Sequence, residues 1–180
     1  MGALVMLKPR VDKLRQIVCI ELLENGAGKW NYEIECFAQG RFKWLRGYAF
    51  ARAKYTPYNV FWQPPIEFVN VEKGKFGGYA LVAYFPPNTV LPNSKFTLNV
   101  TFEVYPTWDR ERLWFLERFF NDASSTTVKF VLPTSFTLNW SASPPHEISE
   151  EDGKQVLIWR LFRFKAVYEF NFTLKPTEET

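Results

Sequence analysis

Hydrophobic and polar residues alternate along most of this chain. In the segment 162–174 every second residue is apolar: Phe162, Phe164, Ala166, Tyr168, Phe170, Phe172 and Leu174, with Arg163, Lys165, Val167, Glu169, Asn171 and Thr173 between them. KFTLNVTFEVY (95–105) repeats the pattern, with Phe96, Leu98, Val100, Phe102 and Val104 on one side and Thr97, Asn99, Thr101 and Glu103 on the other. A period of two puts successive side chains on opposite faces of a strand, one dry and one wet, as in an antiparallel sheet packed on a partner layer. The length of the 162–174 run predicts an interior strand paired on both sides, because long bare edges invite aggregation.

Further strands are predicted at 15–24, 29–38, 77–85, 128–132, 135–142 and 155–161. Asn25-Gly26-Ala27-Gly28 and Asp152-Gly153 read as hairpin turns. RFKWLRGYAFARAKY (41–55) also alternates, and its phase slips at Arg46-Gly47, the mark of a bulge. Residues 1–14 read as a lead-in with one helical turn around Val11–Leu14, and 176–180 as a tail. One segment departs from the period of two. In TWDRERLWFLERFFND, Trp108, Arg112, Phe115, Leu116, Phe119 and Phe120 recur at helical spacing, with Thr107 or Asp109 as an N-cap. We expect a helix near 107–121, although LWFLERFF alone also reads as a strand.

Eight to ten short strands with proline and glycine joints indicate a mainly all-β, antiparallel β-sandwich. A length of 180 residues fits a single domain over 1–180. With 47% hydrophobic residues and 18 Phe, the chain is too apolar to be disordered. A net charge of +3 decides nothing about a polyanionic partner.

No stretch approaches the ~20 apolar residues of a membrane span, and the apolar run Ala3–Leu7 is too short for a signal peptide. The expectation is a soluble protein. It is cytoplasmic as it stands, or at a cell surface or in a virion if a leader was removed.

From Leu132 to Lys175 the order is LPTSFTLNW, SASPP, the acidic turn EISEEDG, KQVLIWRL and the Phe-alternating strand. This order, with its Leu157-Ile158-Trp159 element, resembles the closing strands of immunoglobulin-like modules in prokaryotic, especially archaeal, cell-surface proteins. The resemblance covers about a quarter of the chain. It implies an immunoglobulin-like sandwich in the broad sense and a structural or adhesive role, and it carries no functional residues with it.

Candidate chemistry is sparse. The lone histidine, His146, is far short of the three or four ligands of a metal site. Glu147, Glu150, Glu151 and Asp152 crowd one loop without the spacing of a calcium motif. No nucleophile elbow, phosphate loop or zinc spacing occurs, so we expect no catalytic residue, metal or cofactor. Cys19 and Cys36 flank the first turn. A loop of two to four residues there would place Cys19 opposite residues 34–36, so the two are either a cross-strand disulfide or two small core residues.

No acidic residue falls between Cys36 and Ile66, where Arg41, Lys43, Arg46, Arg52 and Lys54 alternate with aromatics. With a bulge at Gly47, Tyr48, Phe50, Arg52 and Lys54 would share an outer face. Cations between stacking rings suit single-stranded nucleic acid or a protein partner. Trp44, Trp62, Trp108, Trp114 and Trp140 are candidate glycan platforms, although buried Trp is the common case. Asn99, Asn139 and Asn171 lie in glycosylation sequons.

The expected function is a non-catalytic structural or protein-interaction module, self-assembling or binding another protein, in a surface layer or virus-like assembly. A single-stranded nucleic-acid-binding protein and a glycan-binding module are the alternatives.

Overall fold

The computed structural model describes residues 8–178, and those residues form thirteen strands and no helix. In chain order the strands are β1 (Arg10–Leu22), β2 (Gly28–Gln39), β3 (Gly47–Ala53), β4 (Tyr58–Trp62), β5 (Phe68–Lys73), β6 (Tyr79–Tyr84) and β7 (Ser94–Val104). Then follow β8 (Trp114–Asn121), β9 (Ala123–Val131), β10 (Phe136–Ser141), β11 (Glu147–Glu151), β12 (Lys154–Leu161) and β13 (Ala166–Pro176).

Seven of them make one large sheet in the order β11-β12-β9-β1-β2-β7-β4, in which β1 and β9 run parallel. Two three-stranded antiparallel sheets, β3-β6-β5 and β10-β13-β8, supply the rest. The all-β sandwich expected from the alternation is therefore present. Its layering is one broad sheet covered by two small ones, which departs from the two facing sheets of an immunoglobulin-like module.

The alternation explains the core. On the inner face of the large sheet Val18 sits opposite both Tyr32 and Val128, and Ile20 opposite both Trp30 and Phe130. Phe170, Phe172 and Leu174 of β13 descend on this face. Phe130 lies 5.1 Å from Phe172 and 5.4 Å from Phe170, ring centre to ring centre, and 5.6 Å from Trp159. Such edge-on and tilted pairs add to the area they bury. The expected strand 162–174 begins only at Ala166, with Phe162 and Phe164 exposed before it, and β13 is the middle strand of its sheet, paired on both sides. The other cover sheet sends Phe50 onto Tyr32 at 6.0 Å, and Phe85 beneath it meets Phe96 at 5.4 Å.

Both predicted turns form. Asp152 and Gly153 have φ of 51° and 73°, the pair of positive values that a two-residue hairpin turn demands. Gly26, at φ 89°, turns the first hairpin, where the Asn25 side chain accepts a hydrogen bond from the Ala27 amide.

The helix expected near 107–121 is absent. The Asp109 carboxylate accepts the amides of Glu111 and Arg112 in a turn, and from Trp114 onward the chain is β8. The same aromatics also carry a period of two. Phe115 is buried against Phe130 and Phe172, while Leu116 and Phe120 face out. Eight residues of pairing with β13 satisfy the backbone, and aromatics suit a half-buried strand.

The lead-in is shorter than expected. β1 starts at Arg10, so the helical turn at Val11–Leu14 is strand, while residues 1–7 lie outside the described residues.

Candidate functional site

The two cover sheets do not meet edge to edge. β3 ends one of them and β8 ends the other, and between these edges runs a seam over the large sheet. The seam is a cleft of about 740 Å³. Its walls are Arg52–Tyr55 on the β3 side and Leu116–Phe119 on the β8 side.

Its floor is a stack of rings. Trp30 lies over Phe102 at 6.3 Å and 6° between planes, and Tyr32 lies on Phe102 at 5.9 Å and 14°. Trp30 donates its indole N–H to Thr107 Oγ1 at 3.2 Å, and that hydroxyl donates to the Val104 carbonyl at 2.9 Å. The close approach of Thr107 requires glycine at position 28, because a Cβ there would lie 2.6 Å from the threonine side chain.

The two ends differ. Toward the start of β1 the seam is closed by Lys13, which is buried on the inner face. Its ammonium donates to the Phe50 carbonyl at 2.8 Å and to the Asp122 carboxylate at 2.9 Å, tying β3 of one cover sheet to the residue that follows β8 of the other. At the opposite end lie Tyr105, Trp108 and Arg110. Trp108 is buried and donates to the Leu23 carbonyl at 2.9 Å, while the Arg110 guanidinium rests 4.7 Å from the Phe136 ring centre.

Electrostatics inside the seam are uneven. Burial pushes the Glu117 carboxyl above its ordinary range, and the Arg118 amide and the Lys54 ammonium across the seam pull it back. Burial likewise raises the Tyr32 phenol, with Asp122 and Glu117 adding to the shift.

The basic aromatic stretch does not form one surface. The register of β3 slips between Ala49 and Ala51, so the bulge is at Phe50 and not at Gly47. Phe50 therefore points into the core, 2% exposed, instead of sharing an outer face with Arg52 and Lys54. Arg52 and Lys54 line the seam. Lys43, Arg46 and Tyr48 belong to a second hollow of about 680 Å³ that also holds Phe42, Trp44 and Lys8. There Lys43 and Arg46 lie 5.0 and 5.5 Å from the Trp44 ring centre. Arg41 is exposed outside both hollows.

The cysteines are not a pair. The first loop spans residues 23–27, longer than expected, so Leu22 opposes Gly28 and the register shifts. Cys19 opposes Asn31, and Cys36 opposes Lys13. Opposed residues share a face, so Cys36 is in the core and Cys19 is on the other side of the sheet. Both are free thiols. Burial pushes Cys36 up to about 12, against the pull of Lys13.

Among the sequons, Asn139 is exposed, whereas the Asn171 side chain accepts the Trp114 indole N–H at 2.8 Å and Asn99 is half-buried. Of the proposed glycan platforms, Trp62 and Trp140 are 40% and 52% exposed, but they stand on different sheets. The His146 imidazole accepts the Arg160 amide at 3.0 Å. Among the described residues no three His, Cys, Asp or Glu side chains gather as a metal site, and no helix is long and apolar enough to cross a membrane.

No protein-family model matches this sequence, and no curated protein matches it. Solved structures do share its fold. It is similar to a mutant M1 zinc metallopeptidase from Deinococcus radiodurans bound to a Tyr-Ser-Ala substrate, with a TM-score of 0.54 and 11% identity over 91% of this chain and 42% of that one. It is equally similar to a putative nutrient binding protein from Legionella pneumophila, at a TM-score of 0.54 and 13% identity over 91% of this chain and 66% of the other. At such identities the likeness is one of fold alone. The chain spans less than half of the peptidase.

Proposed function

We propose that this chain is a non-catalytic protein-interaction module whose contact site is the seam between its two cover sheets. The observation that carries this reading is a cleft of about 740 Å³ with an aromatic floor, bounded on both sides by strand edges. A concave, mostly apolar site with a few charges is the usual form of a binding site. Partner residues entering it would bury aromatic area on both sides, the main source of affinity at protein contacts. Assembly of the chain with itself, as the resemblance to surface modules suggests, is one form of this reading.

A photoreactive benzoylphenylalanine placed at Lys54 tests it, with the same residue at Glu35 on the outer face of the large sheet as control. Irradiation in the source cell should give covalent adducts with a polypeptide, or with a second copy, from Lys54 and not from Glu35. Adducts from Glu35 alone would remove the seam as the contact site.

A second reading rests on the second hollow. It is lined by Lys8, Lys43 and Arg46 beside Phe42, Trp44 and Tyr48, with no acidic residue among its lining. That is the composition of a single-strand nucleic-acid groove. Oligothymidine binding that weakens steeply with salt and is lost in Lys43→Glu/Arg46→Glu would favour it, and no binding at low salt would eliminate it.

A further inference from the structure

We infer that the occupant of the seam is an extended strand of a partner polypeptide, added to the outer edge of β8. This rests on the seam being the contact site, and it specifies how the partner is held.

The argument starts from which backbone groups of β8 are used. The carbonyls of Leu113 and Asn121 accept the amides of Leu174 and Lys165, so the odd-numbered residues of this stretch turn their backbone groups toward β13. Trp114 turns the other way. It exchanges both hydrogen bonds with Asp109, at 2.8 and 3.0 Å, on the edge that faces the seam. The alternation of a strand then places the backbone groups of Leu116, Arg118 and Phe120 on that same outer edge. Among the described residues none of the three has a backbone partner there, and the Arg118 amide meets only the neighbouring Glu117 carboxyl. Asp109 is a one-residue beginning of a strand that this chain does not continue.

Exposed strand edges are templates for another chain, and proteins blunt them by shortness, by charge or by proline. The edges β4, β5, β10 and β11 are five or six residues long and β3 has seven, broken by its bulge at Phe50, whereas β8 has eight, with Leu116 44% and Phe120 54% exposed. With β3 it borders an aromatic floor. Adding a strand to such an edge is a recurrent way of binding a peptide. Backbone hydrogen bonds hold it, and pockets for alternate side chains choose the sequence.

The chemistry of the occupant follows from the two faces it would meet. Side chains turned inward would lie against Trp30, the floor ring that Tyr32 and Phe102 leave uncovered, and must be apolar. Those turned outward would pass Arg52 and Lys54, which are exposed and have no carboxylate in salt-bridge range among the described residues. They are therefore acidic. The expected ligand is an extended segment in which apolar and acidic residues alternate.

The test pans a displayed library of random nine-residue peptides against the whole protein and measures the enriched peptides by fluorescence anisotropy. The diagnostic variant is Leu116→Pro. It removes one outward N–H that pairing with β13 does not use, at an edge position where proline is tolerated. Phe120→Pro serves the same purpose if Leu116→Pro does not fold. We expect alternating apolar–acidic peptides that bind at least tenfold more weakly to the proline variant, and equally weakly when N-methylated at alternate amides. Peptides that lose binding in Arg52→Glu/Lys54→Glu, yet ignore the proline and the methylation, would overturn strand addition and leave the seam as the contact site. No enrichment over the proline variant, or oligothymidine in place of peptide as the seam ligand, would also overturn it.

Discussion

The Lys13 ammonium lies 2.9 Å from an Asp122 carboxylate oxygen, across 109 residues of sequence, with the lysine side chain 5% exposed and the aspartate 40%. The two partners are thus unequal. If Lys13→Met removes the cation, Asp122 can turn to water and only the Phe50 carbonyl is stranded, for a loss of about 1–3 kcal/mol. Asp122→Ala leaves a buried ammonium with one carbonyl partner and should cost about 3–5 kcal/mol. Urea unfolding of both variants and of the double variant checks this. The double variant should lose less than the sum, because the charges form one unit. The exposed Arg15–Glu33 pair, at 3.5 Å, should be worth under about 1 kcal/mol by the same measurement.

The thiols differ in the same way. Burial raises both Cys36 and Cys19, but Cys19 is half-exposed on the outer face and Cys36 is in the core. Reaction requires the thiolate and access to it. A maleimide pulse followed by mass spectrometry should label Cys19 first and Cys36 only as the protein unfolds. The unreduced mass should be that of the dithiol chain.

Glu117 gives the protein a pH signature. Its carboxyl titrates above the ordinary value of 4.5 in the folded state, chiefly through burial. Between the unfolded and the folded pKa the native state holds the extra proton, so stability falls as pH rises through that window and stays lower above it. Glu117→Gln should remove this fall. The variant should match the parent below about pH 4 and melt higher at neutral pH. An unchanged pH profile would show that Glu117 is solvated in the seam.

Core and surface phenylalanines should separate cleanly. Phe130 is fully buried and touches the rings of Phe115, Trp159, Phe170 and Phe172. Phe130→Ala should cost about 3–5 kcal/mol. Phe76 is entirely exposed, and Phe76→Ser should stay within about 0.5 kcal/mol of the parent.

The legible and illegible parts of the fold follow from how far each signal reaches. The faces of β2, β7 and β13, the Asp152-Gly153 turn and the interior place of β13 are all written in local alternation or turn chemistry. β8 is ambiguous because Phe115 and Phe119 fit a strand period while Phe115, Leu116, Phe119 and Phe120 fit a helical one, and only Phe130 and Phe172, waiting as partners, decide between them. The basic stretch 41–54 was legible as composition. Its division between two hollows was not, because the deciding bulge at Phe50 exists only where β3 pairs with β6. Lys13 and Asp122 carried no local signal at all, and neither did Glu117 or the gap in the cover that leaves Trp30 at the seam.

The sequence by itself determined that this is an all-β protein and which side of its regular strands would be dry, since alternation is a property of neighbouring residues. Only the tertiary structure decided which strands pair, that the cover is split into two sheets, and that a lysine is buried to hold them. Those outcomes depend on contacts between residues up to about a hundred positions apart, and their energy comes from burial and hydrogen bonding that exist only once the sheets have met.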